Sequence, residues 1–174
     1  MRGFILGWGV YAEGTRIAHE EMATRGTGQV ALAVLGMLRR GLIGTERARL
    51  RRGVTATIEV DGTPADAAPR LLGLATTLQK RLAAGFNPFW GEGPGRLRWL
   101  DVHAPGHRLV FAAPLVAFGR PTSWMTRSGY ASGRAERITL EIDTPFVMDG
   151  ELFPPPPDGR LTLSAGAEMV FLSL

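Results

Sequence analysis

Two short stretches of this 174-residue chain alternate strictly between apolar and polar side chains, and no other feature constrains the fold as strongly. Residues 54–60 carry an apolar residue at every second position, and residues 138–142 repeat the pattern. Because successive side chains of a strand point to opposite faces, each stretch predicts a half-buried β-strand. Asp61-Gly62 follows the first stretch and has the composition of a tight hairpin turn.

Other parts of the chain also favour strands. The candidate strands are residues 70–78, 97–103, 145–148, 161–164 and 169–174. Short strands that follow one another closely towards the end of the chain are typical of a β-sandwich or barrel. Phe153 is followed by a run of prolines, which is stiff and poor in backbone donors, so residues 153–159 are predicted to form an exposed connection between strands.

Helical spacing of apolar residues is confined to fewer segments. Residues 28–42 predict a helix that ends with Arg39-Arg40, where the helix dipole favours positive charge. Residues 15–25 predict a short helix, and residues 107–118 predict another, which Pro114 should kink or break. The inner side of that last helix is expected to consist of Leu109, Val110, Ala113, Val116 and Ala117.

These patterns predict the fold class. The chain has the length of one domain, and 45% of its residues are apolar, which is enough for a continuous core. We predict a single domain, 1–174, of the mainly β (α+β) class. Its architecture should be a two-layer β-sandwich with one or two accessory helices.

Composition excludes several kinds of chemistry. The chain has no cysteine, so disulfides, thiolate metal sites and a sulfur nucleophile are excluded, and a reducing cytoplasm is the expected location. The apolar residues 4–10 are too few, and too interrupted by glycine, for a signal sequence or a membrane span. We therefore expect a cytoplasmic protein that does not span a membrane.

The net charge of +4 comes almost entirely from arginine. The densest basic stretch could form a surface that approaches anionic lipid head groups, although a solvated helix end and loop is the simpler explanation. Its residues are Arg39, Arg40, Arg47, Arg49, Arg51 and Arg52. Because no zinc-finger spacing or aromatic-glycine strand motif accompanies it, we expect no nucleic-acid partner.

Common catalytic motifs are missing from the sequence. It contains neither a G-x-x-x-x-G-K-[ST] phosphate loop nor a G-x-G-x-x-G motif. The histidines His19, His103 and His107 have no partner at metal-ligand spacing, so structural or surface roles are expected for them. The serines Ser123, Ser128 and Ser132 lie in a predicted Gly/Thr/Arg-rich loop without a nucleophile-elbow glycine frame, so a hydrolase triad has no support.

Asp149-Gly150-Glu151 is the remaining candidate for chemistry. An apolar strand runs into these two carboxylates, which a glycine separates. On one interpretation, Asp149-Gly150 is a hairpin turn and Glu151 only resumes the next strand. On the other, a glutamate fixed at a strand end beside a second carboxylate suits a general base that accepts a hydroxyl proton. Glu151 and Asp149 are therefore the predicted catalytic residues.

The order of segments around this motif provides a second argument. It comprises Gly9 and Gly14-Thr15-Arg16 after an apolar strand, Asp61-Gly62, residues 95–100, the segment 107–119, Asp149-Gly150-Glu151 and a closing strand 165–172. This order resembles the carboxyl-terminal domain of diacylglycerol kinases, sphingosine kinases and related bacterial lipid kinases. The resemblance covers most of the chain, and it implies a sandwich like that of lipid kinases and NAD kinases.

The resemblance implies that Glu151 accepts a proton from a lipid hydroxyl, with Asp149 as its neighbour. ATP and Mg²⁺ are the expected cofactors of the complete kinase, bound by an amino-terminal α/β domain with a Gly-Gly-Asp-Gly-Thr-type loop. Such a domain is not recognised in this chain, which is therefore expected to be inactive alone. Family members also bind a structural Mg²⁺ at an Asp-Gly. Here the corresponding residues are Glu92-Gly93-Pro94, so no metal site is predicted.

Three functions are open at this point. The chain is predicted to be the lipid-substrate domain of such a kinase, with a lipid substrate and an ATP-binding domain in cis or in trans as partners. The alternatives are a non-catalytic lipid-binding or regulatory module of the same fold, and an unrelated β scaffold. Contact with a membrane surface is an expected peripheral interaction. A homodimer through free strand edges is an open alternative.

Overall fold

The computed structural model describes residues 2–13, 15, 51–66, 68–78 and 86–166. The predicted helix at 28–42 and the predicted strand at 169–174 lie outside the described residues. So does the predicted short helix at 15–25, apart from Thr15. Most of the basic stretch between Arg39 and Arg52 is also outside them, although its last two arginines are described as helical and exposed.

The described part of the chain contains ten strands and two complete helices. The strands are β1 Ile5–Gly9, β2 Ala56–Val60, β3 Thr63–Pro64, β4 Arg70–Thr76, β5 Leu97–His103, β6 Tyr130–Ala135, β7 Arg137–Ile142, β8 Phe146–Met148, β9 Glu151–Phe153 and β10 Arg160–Ser164. The helices are α1 Leu109–Ala117 and α2 Ser123–Thr126. Residues 10–13 are also helical and directly follow β1. No helix in the described ranges is long and apolar enough to cross a membrane.

The strands form two antiparallel sheets. The larger sheet has the order β6-β5-β4-β1-β8-β9, and the smaller has the order β10-β7-β2-β3. One face of each sheet contributes to a shared apolar core, in which Leu6 and Trp8 of the larger sheet meet Ile58, Ile138 and Leu140 of the smaller. This packing confirms the predicted mainly β class and the sandwich of two sheets.

A second apolar cluster covers the other face of the larger sheet. Leu71, Leu100 and Val102 of that sheet pack there against Ala112 of α1 and Met125 of α2. The two helices therefore form an outer layer over the larger sheet, as the accessory helices of the predicted fold.

Two Asp-Gly hairpins organise the ends of the strands. Asp61-Gly62 joins β2 to β3, and Asp149-Gly150 joins β8 to β9. All four residues have positive φ, between 49° and 91°, which is the geometry of a two-residue hairpin turn and explains why Asp-Gly suits both positions. The turn predicted at Asp61-Gly62 is confirmed, and the hairpin interpretation of Asp149-Gly150 is confirmed as its backbone geometry.

The predicted helix at 107–118 is confirmed as α1, with two differences in detail. Pro114 lies inside α1 on its solvent side, and the helix continues through it, so the predicted break is absent. The predicted inner side is also incorrect at Val110, which is 59% exposed, whereas the unpredicted Ala112 is fully buried.

The predicted loop around Ser123, Ser128 and Ser132 is wrong as well. It contains the helix α2 and most of the strand β6, which pairs with β5 along its whole length. The proline-rich connection is confirmed, since residues 154–159 join β9 to β10 without regular structure.

Candidate functional site

The carboxylate of Asp149 fastens the β8–β9 hairpin to the start of β1. Its Oδ1 accepts hydrogen bonds from the backbone N–H groups of Phe4 (2.9 Å) and Ile5 (2.8 Å), and its Oδ2 is 3.0 Å from the nitrogen of Phe4. The backbone N–H of Asp149 donates in return to the carbonyl oxygen of Ile5 at 2.9 Å. Asp149 therefore positions the turn, and its oxygens are directed at the protein backbone.

Asp61 acts in the same way in the smaller sheet. Its Oδ1 accepts hydrogen bonds from the backbone N–H groups of Glu136 (2.9 Å) and Arg137 (2.7 Å). The two Asp-Gly turns are thus equivalent in geometry and in anchoring, and they provide an internal comparison for experiments on Asp149.

The variant Asp149→Gly is expected to lower the free energy of unfolding by about 1–2 kcal/mol. Glycine tolerates the positive φ of this position, so the loss reports the charge-assisted hydrogen bonds to Phe4 and Ile5. Urea unfolding measures the difference. Asp61→Gly should have a similar effect, and an Asp149→Gly variant as stable as the wild type would show that the anchor does not stabilise the fold.

Glu151 lies immediately after the turn, as the first residue of β9 opposite Met148. It is exposed, and the structure gives its carboxylate no hydrogen bond or ion pair with any described residue. The fold thus holds the backbone of Glu151 through the neighbouring turn while its carboxylate faces solvent. Such a carboxylate is available to accept a hydrogen bond from a bound hydroxyl.

An open cavity of about 420 Å³ lies beside the turn. The described residues that line it are Phe4, Ile5, Tyr11, Leu78, Asp149 and Gly150. Its wall is therefore mainly apolar, with the hairpin turn at one side. This combination suits a ligand that has an apolar body and a polar end.

Tyr11 is a residue of this cavity that the sequence did not reveal. Its ring packs against Gly7, where an added Cβ would lie 2.2 Å from the Cδ1 atom. Burial, with a smaller contribution from the charge of Asp149, raises the pKa of Tyr11. The phenol is therefore a neutral hydrogen-bonding group near the turn at physiological pH. No motif marks this tyrosine, although its position just after β1 could have suggested proximity to the strand ends.

A second polar cluster is buried in the larger sheet. The side chains of Arg70 and Asp101 are 0% and 3% exposed, and Nη1 of Arg70 is 3.2 Å from Oδ2 of Asp101. The Nε2 atom of His103 lies 3.6 Å from the same oxygen. Nη2 of Arg70 also donates to the carbonyl oxygen of Asp66. Nevertheless Nε of Arg70 and Oδ1 of Asp101 are buried without a hydrogen-bond partner.

The environment of this cluster perturbs its acid–base groups. Burial raises the pKa of Asp101 to about 7, although the charge of Arg70 and the N–H of Val102 act in the opposite direction. Burial and the charge of Arg70 lower the pKa of His103, and the charge of Asp66 partly offsets them. The distance of 3.2 Å identifies Arg70 as the ion-pair partner of Asp101, but their alignment is not that of a hydrogen bond. We therefore attribute the raised pKa to incomplete compensation for burial.

No partner for His103 was predicted at metal-ligand spacing, yet the fold supplies two neighbours for its side chain. Asp101 and His103 are two residues apart on β5 and so share one face, while Arg70 of β4 pairs directly with His103 across the sheet. The spacing of Asp101 and His103 was a usable signal, whereas the contribution of Arg70 depends on strand register. A carboxylate, an arginine and a histidine thus meet inside the sheet, where each charge depends on its neighbours for compensation.

The other two histidines and Ser132 either make structural contacts or lie outside the described residues. His19 is outside the described residues, and His107 is exposed, with its carbonyl oxygen accepting a hydrogen bond from the Tyr130 hydroxyl at 2.7 Å. Ser132 Oγ donates to the carbonyl oxygen of Trp99 at 2.5 Å and accepts from the N–H of Trp90 at 3.1 Å. This serine therefore ties the loop before β5 to β6.

Glu92 lies in a setting that does not fit the structural Mg²⁺ of lipid kinases. It is exposed, and its carbonyl oxygen accepts a hydrogen bond from the N–H of Arg134 at 3.4 Å. Among the described residues, no three acidic or histidine side chains lie close enough together to hold a metal ion. A hard cation requires several oxygen ligands, and one exposed carboxylate beside an arginine does not supply them.

No protein-family model matches the chain, and no curated protein matches it. Among solved structures, it is similar to the crystal structure of a putative diacylglycerol kinase from Bacillus anthracis str. Sterne, with a TM-score of 0.55 and 13% sequence identity. The match covers 87% of this chain and 46% of that chain, so this chain spans less than half of the length of its neighbour. The chain thus shares its fold with part of that protein.

Proposed function

We propose that this chain is the lipid-substrate domain of a diacylglycerol-kinase-like enzyme, which transfers the γ-phosphate of ATP to a lipid hydroxyl. The observation that carries the proposal is the position of Glu151. Its exposed carboxylate directly follows a turn that Asp149 fastens to β1, and that turn borders an open, mainly apolar cavity. The fold shared with part of a putative diacylglycerol kinase supports the same assignment.

In the proposed reaction, Glu151 is the general base and Asp149 is its positioning residue. The carboxylate of Glu151 takes the proton of the lipid hydroxyl as the hydroxyl oxygen bonds to the γ-phosphorus. The bond between the γ-phosphorus and the bridging oxygen then breaks, and ADP leaves with the electron pair. The anchored turn contributes by holding the base in one place, since misplacement of a reacting group is costly.

The cavity is the proposed site of the lipid. Phe4, Ile5 and Leu78 offer apolar contacts to the acyl part, whereas the neutral phenol of Tyr11 is near the turn and can bind a polar head. The amphipathic shape of a glycerolipid alcohol or a sphingoid base fits this division.

ATP and Mg²⁺ are assigned to a nucleotide-binding domain, present in the same polypeptide or as a separate partner. The sequence contains no phosphate-binding loop, and the setting of Glu92 does not fit a metal ion. Because phosphoryl transfer depends on positioning and on neutralising phosphate charge, the chain alone is proposed to be inactive.

The test is to isolate the protein from its source cells through a tag on the chromosomal gene and to measure its intact mass and its bound partners. The preparation is then incubated with vesicles of diacylglycerol or of a sphingoid base and with ATP labelled at the γ-phosphate. We expect the label in the extracted lipid and none in free glycerol. No labelled lipid, in a preparation that contains an ATP-binding domain, would overturn the kinase assignment.

The described lining of the cavity does not include Glu151, which favours a second candidate, a non-catalytic lipid-binding or regulatory module of the same fold. Such a module would bind the lipid vesicles without transferring phosphate, and the substitution Glu151→Gln would not affect its binding. A chain that neither binds lipid nor associates with a nucleotide domain would instead be an unrelated scaffold.

A further inference from the structure

The helix α1 is apolar on every side. None of its nine residues is polar or charged. Leu109, Ala112 and Val116, spaced at i, i+3 and i+7, belong to the cluster that packs on the larger sheet. A surface helix of a globular protein normally presents polar residues on its opposite face, and α1 does not.

The opposite face of α1 presents large apolar side chains to solvent. Val110 and Phe118 are each 59% exposed, and Phe111 is 71% exposed. Phe86 is 37% exposed. It lies near the end of α1, since the backbone N–H of the next residue, Asn87, donates a hydrogen bond to the carbonyl oxygen of Ala117 at 3.0 Å. We call these four residues the α1 patch. Apart from Leu152, they are the exposed large apolar residues in the described part of the chain.

The surroundings of the α1 patch are positively charged. Residues 102–135 contain four arginines and no aspartate or glutamate, so this segment alone carries a charge of +4. Arg108 immediately precedes α1. Arg120 lies near the end of α1, where its backbone N–H donates to the carbonyl oxygen of Leu115 at 2.8 Å. The guanidinium of Arg108 lies over the ring of Trp124 in α2, and Arg127 directly follows α2. All three arginines are exposed.

We propose that the α1 patch docks the protein on membranes that contain anionic lipids. The phenylalanines would enter the boundary between head groups and acyl chains, and Arg108, Arg120 and Arg127 would remain at the level of the lipid phosphates. This proposal does not depend on Glu151 or on phosphoryl transfer, because it follows from the exposed surface of α1 alone.

The charge of the patch argues against a second copy of this chain as the occupant. A twofold dimer through α1 would bring two segments of charge +4 together, without acidic residues from either segment to compensate. An anionic membrane supplies both the apolar phase and the negative charge.

Flotation of the chain with vesicles, in the absence of ATP, tests the proposal. We expect binding to phosphatidylcholine vesicles that contain about 30 mol% phosphatidylserine, weaker binding to pure phosphatidylcholine, and weaker binding as NaCl rises from about 0.05 to 0.5 M. The variant Phe111→Ser/Phe118→Ser should lower affinity for the anionic vesicles by about 100-fold. The matched control Leu152→Ala, which removes an exposed apolar side chain elsewhere, should bind like the wild type.

The arginines are tested separately. The variant Arg108→Gln/Arg120→Gln/Arg127→Gln should lose affinity for anionic vesicles by about 100-fold and lose little for phosphatidylcholine. Arg137→Gln/Arg160→Gln, two exposed arginines of the smaller sheet, is its control. The phenylalanine variant and the arginine variant can each decide the result alone. If one of them folds poorly, the other still tests the proposal.

Several results would overturn the proposal. These are the absence of vesicle binding, binding that both sets of patch variants leave unchanged, and equal binding to neutral and anionic vesicles. A self-association in sedimentation that Phe111→Ser/Phe118→Ser abolishes would identify a second copy of the chain as the occupant instead. None of these results bears on phosphoryl transfer, so this proposal and the proposed function can fail independently.

Discussion

The variant Glu151→Gln is expected to transfer phosphate to lipid about 100-fold to 10,000-fold more slowly than the wild type, the usual contribution of a general base. Glutamine has the same shape and cannot take up the hydroxyl proton. Because no described residue makes a hydrogen bond or ion pair with the Glu151 side chain, its stability and lipid binding should be unchanged. The assay uses protein isolated from cells that carry the substitution, together with any nucleotide-binding domain that accompanies it.

Two comparisons make this result specific. The loss should lie in kcat, with KM for the lipid nearly unchanged, since the base acts in the transition state rather than in binding. Glu141→Gln is the matched control, because Glu141 is also an exposed strand glutamate but belongs to β7 in the other sheet. A Glu151→Gln enzyme that keeps more than about one tenth of wild-type kcat would show that another group accepts the proton.

The strands that could be predicted from the sequence are those whose pattern reflects one buried face. Residues 56–60 and 137–142 alternate because the apolar residues of each strand enter the shared core, whereas most residues of the opposite face, such as Thr57 and Glu141, are exposed. β6 escaped prediction because its sequence, Tyr-Ala-Ser-Gly-Arg-Ala, is small and polar and has little intrinsic strand preference. It is a strand because it pairs with β5 throughout its length, and that pairing is tertiary information.

The helix α1 could also be predicted only in part, because its buried face is decided by tertiary packing. An entirely apolar helix gives no stripe from which to choose the buried face, so Val110 was assigned to the inside and Ala112 was not. The position of Pro114 was also misleading, because a proline on the solvent side of a packed helix removes one hydrogen bond but leaves the inner contacts of the helix intact.

In the candidate site too, local patterns could be predicted from the sequence and long-range contacts could not. Asp149-Gly150-Glu151 could be identified from sequence because Asp-Gly turns and paired carboxylates are local patterns. The anchoring of Asp149 to Phe4 joins residues 145 positions apart, and the cluster of Arg70, Asp101 and His103 depends on the register of β4 against β5. Contacts of this kind follow from sheet topology and are invisible to a pattern of residues.

Replacing Arg70 with methionine is expected to lower the free energy of unfolding by about 3–5 kcal/mol at pH 8, and by clearly less at pH 5. Methionine fills much of the same space but leaves Asp101 buried without its counter-charge. Burial raises the pKa of Asp101 to about 7 in the folded protein, so this carboxyl is mainly ionised at pH 8 and mainly protonated at pH 5. At pH 8 the variant must therefore either bury an unpaired carboxylate or keep a proton on Asp101 that the wild type releases, whereas at pH 5 the carboxyl is protonated in both proteins.

The direction of this pH dependence follows from linkage. A carboxyl whose pKa is higher in the folded state than in the unfolded state contributes stability below about pH 4 and loses it as the pH rises through about 7. Without Arg70, whose charge lowers the pKa of Asp101, that loss should extend to higher pH. Arg70 also lowers the pKa of His103, which Asp66 raises, so the variant should protonate His103 more readily at pH 5.

Urea unfolding of the wild type and of Arg70→Met at both pH values measures the effect. The double variant Arg70→Met/Asp101→Leu is the decisive control, because replacing both charges with apolar side chains removes the unpaired carboxylate. It should recover most of the lost stability and show a smaller pH dependence than either the wild type or the single variant. An equal penalty for Arg70→Met at pH 5 and pH 8 would mean that Asp101 does not titrate in this range. In that case packing, rather than charge, would explain why Arg70 is buried.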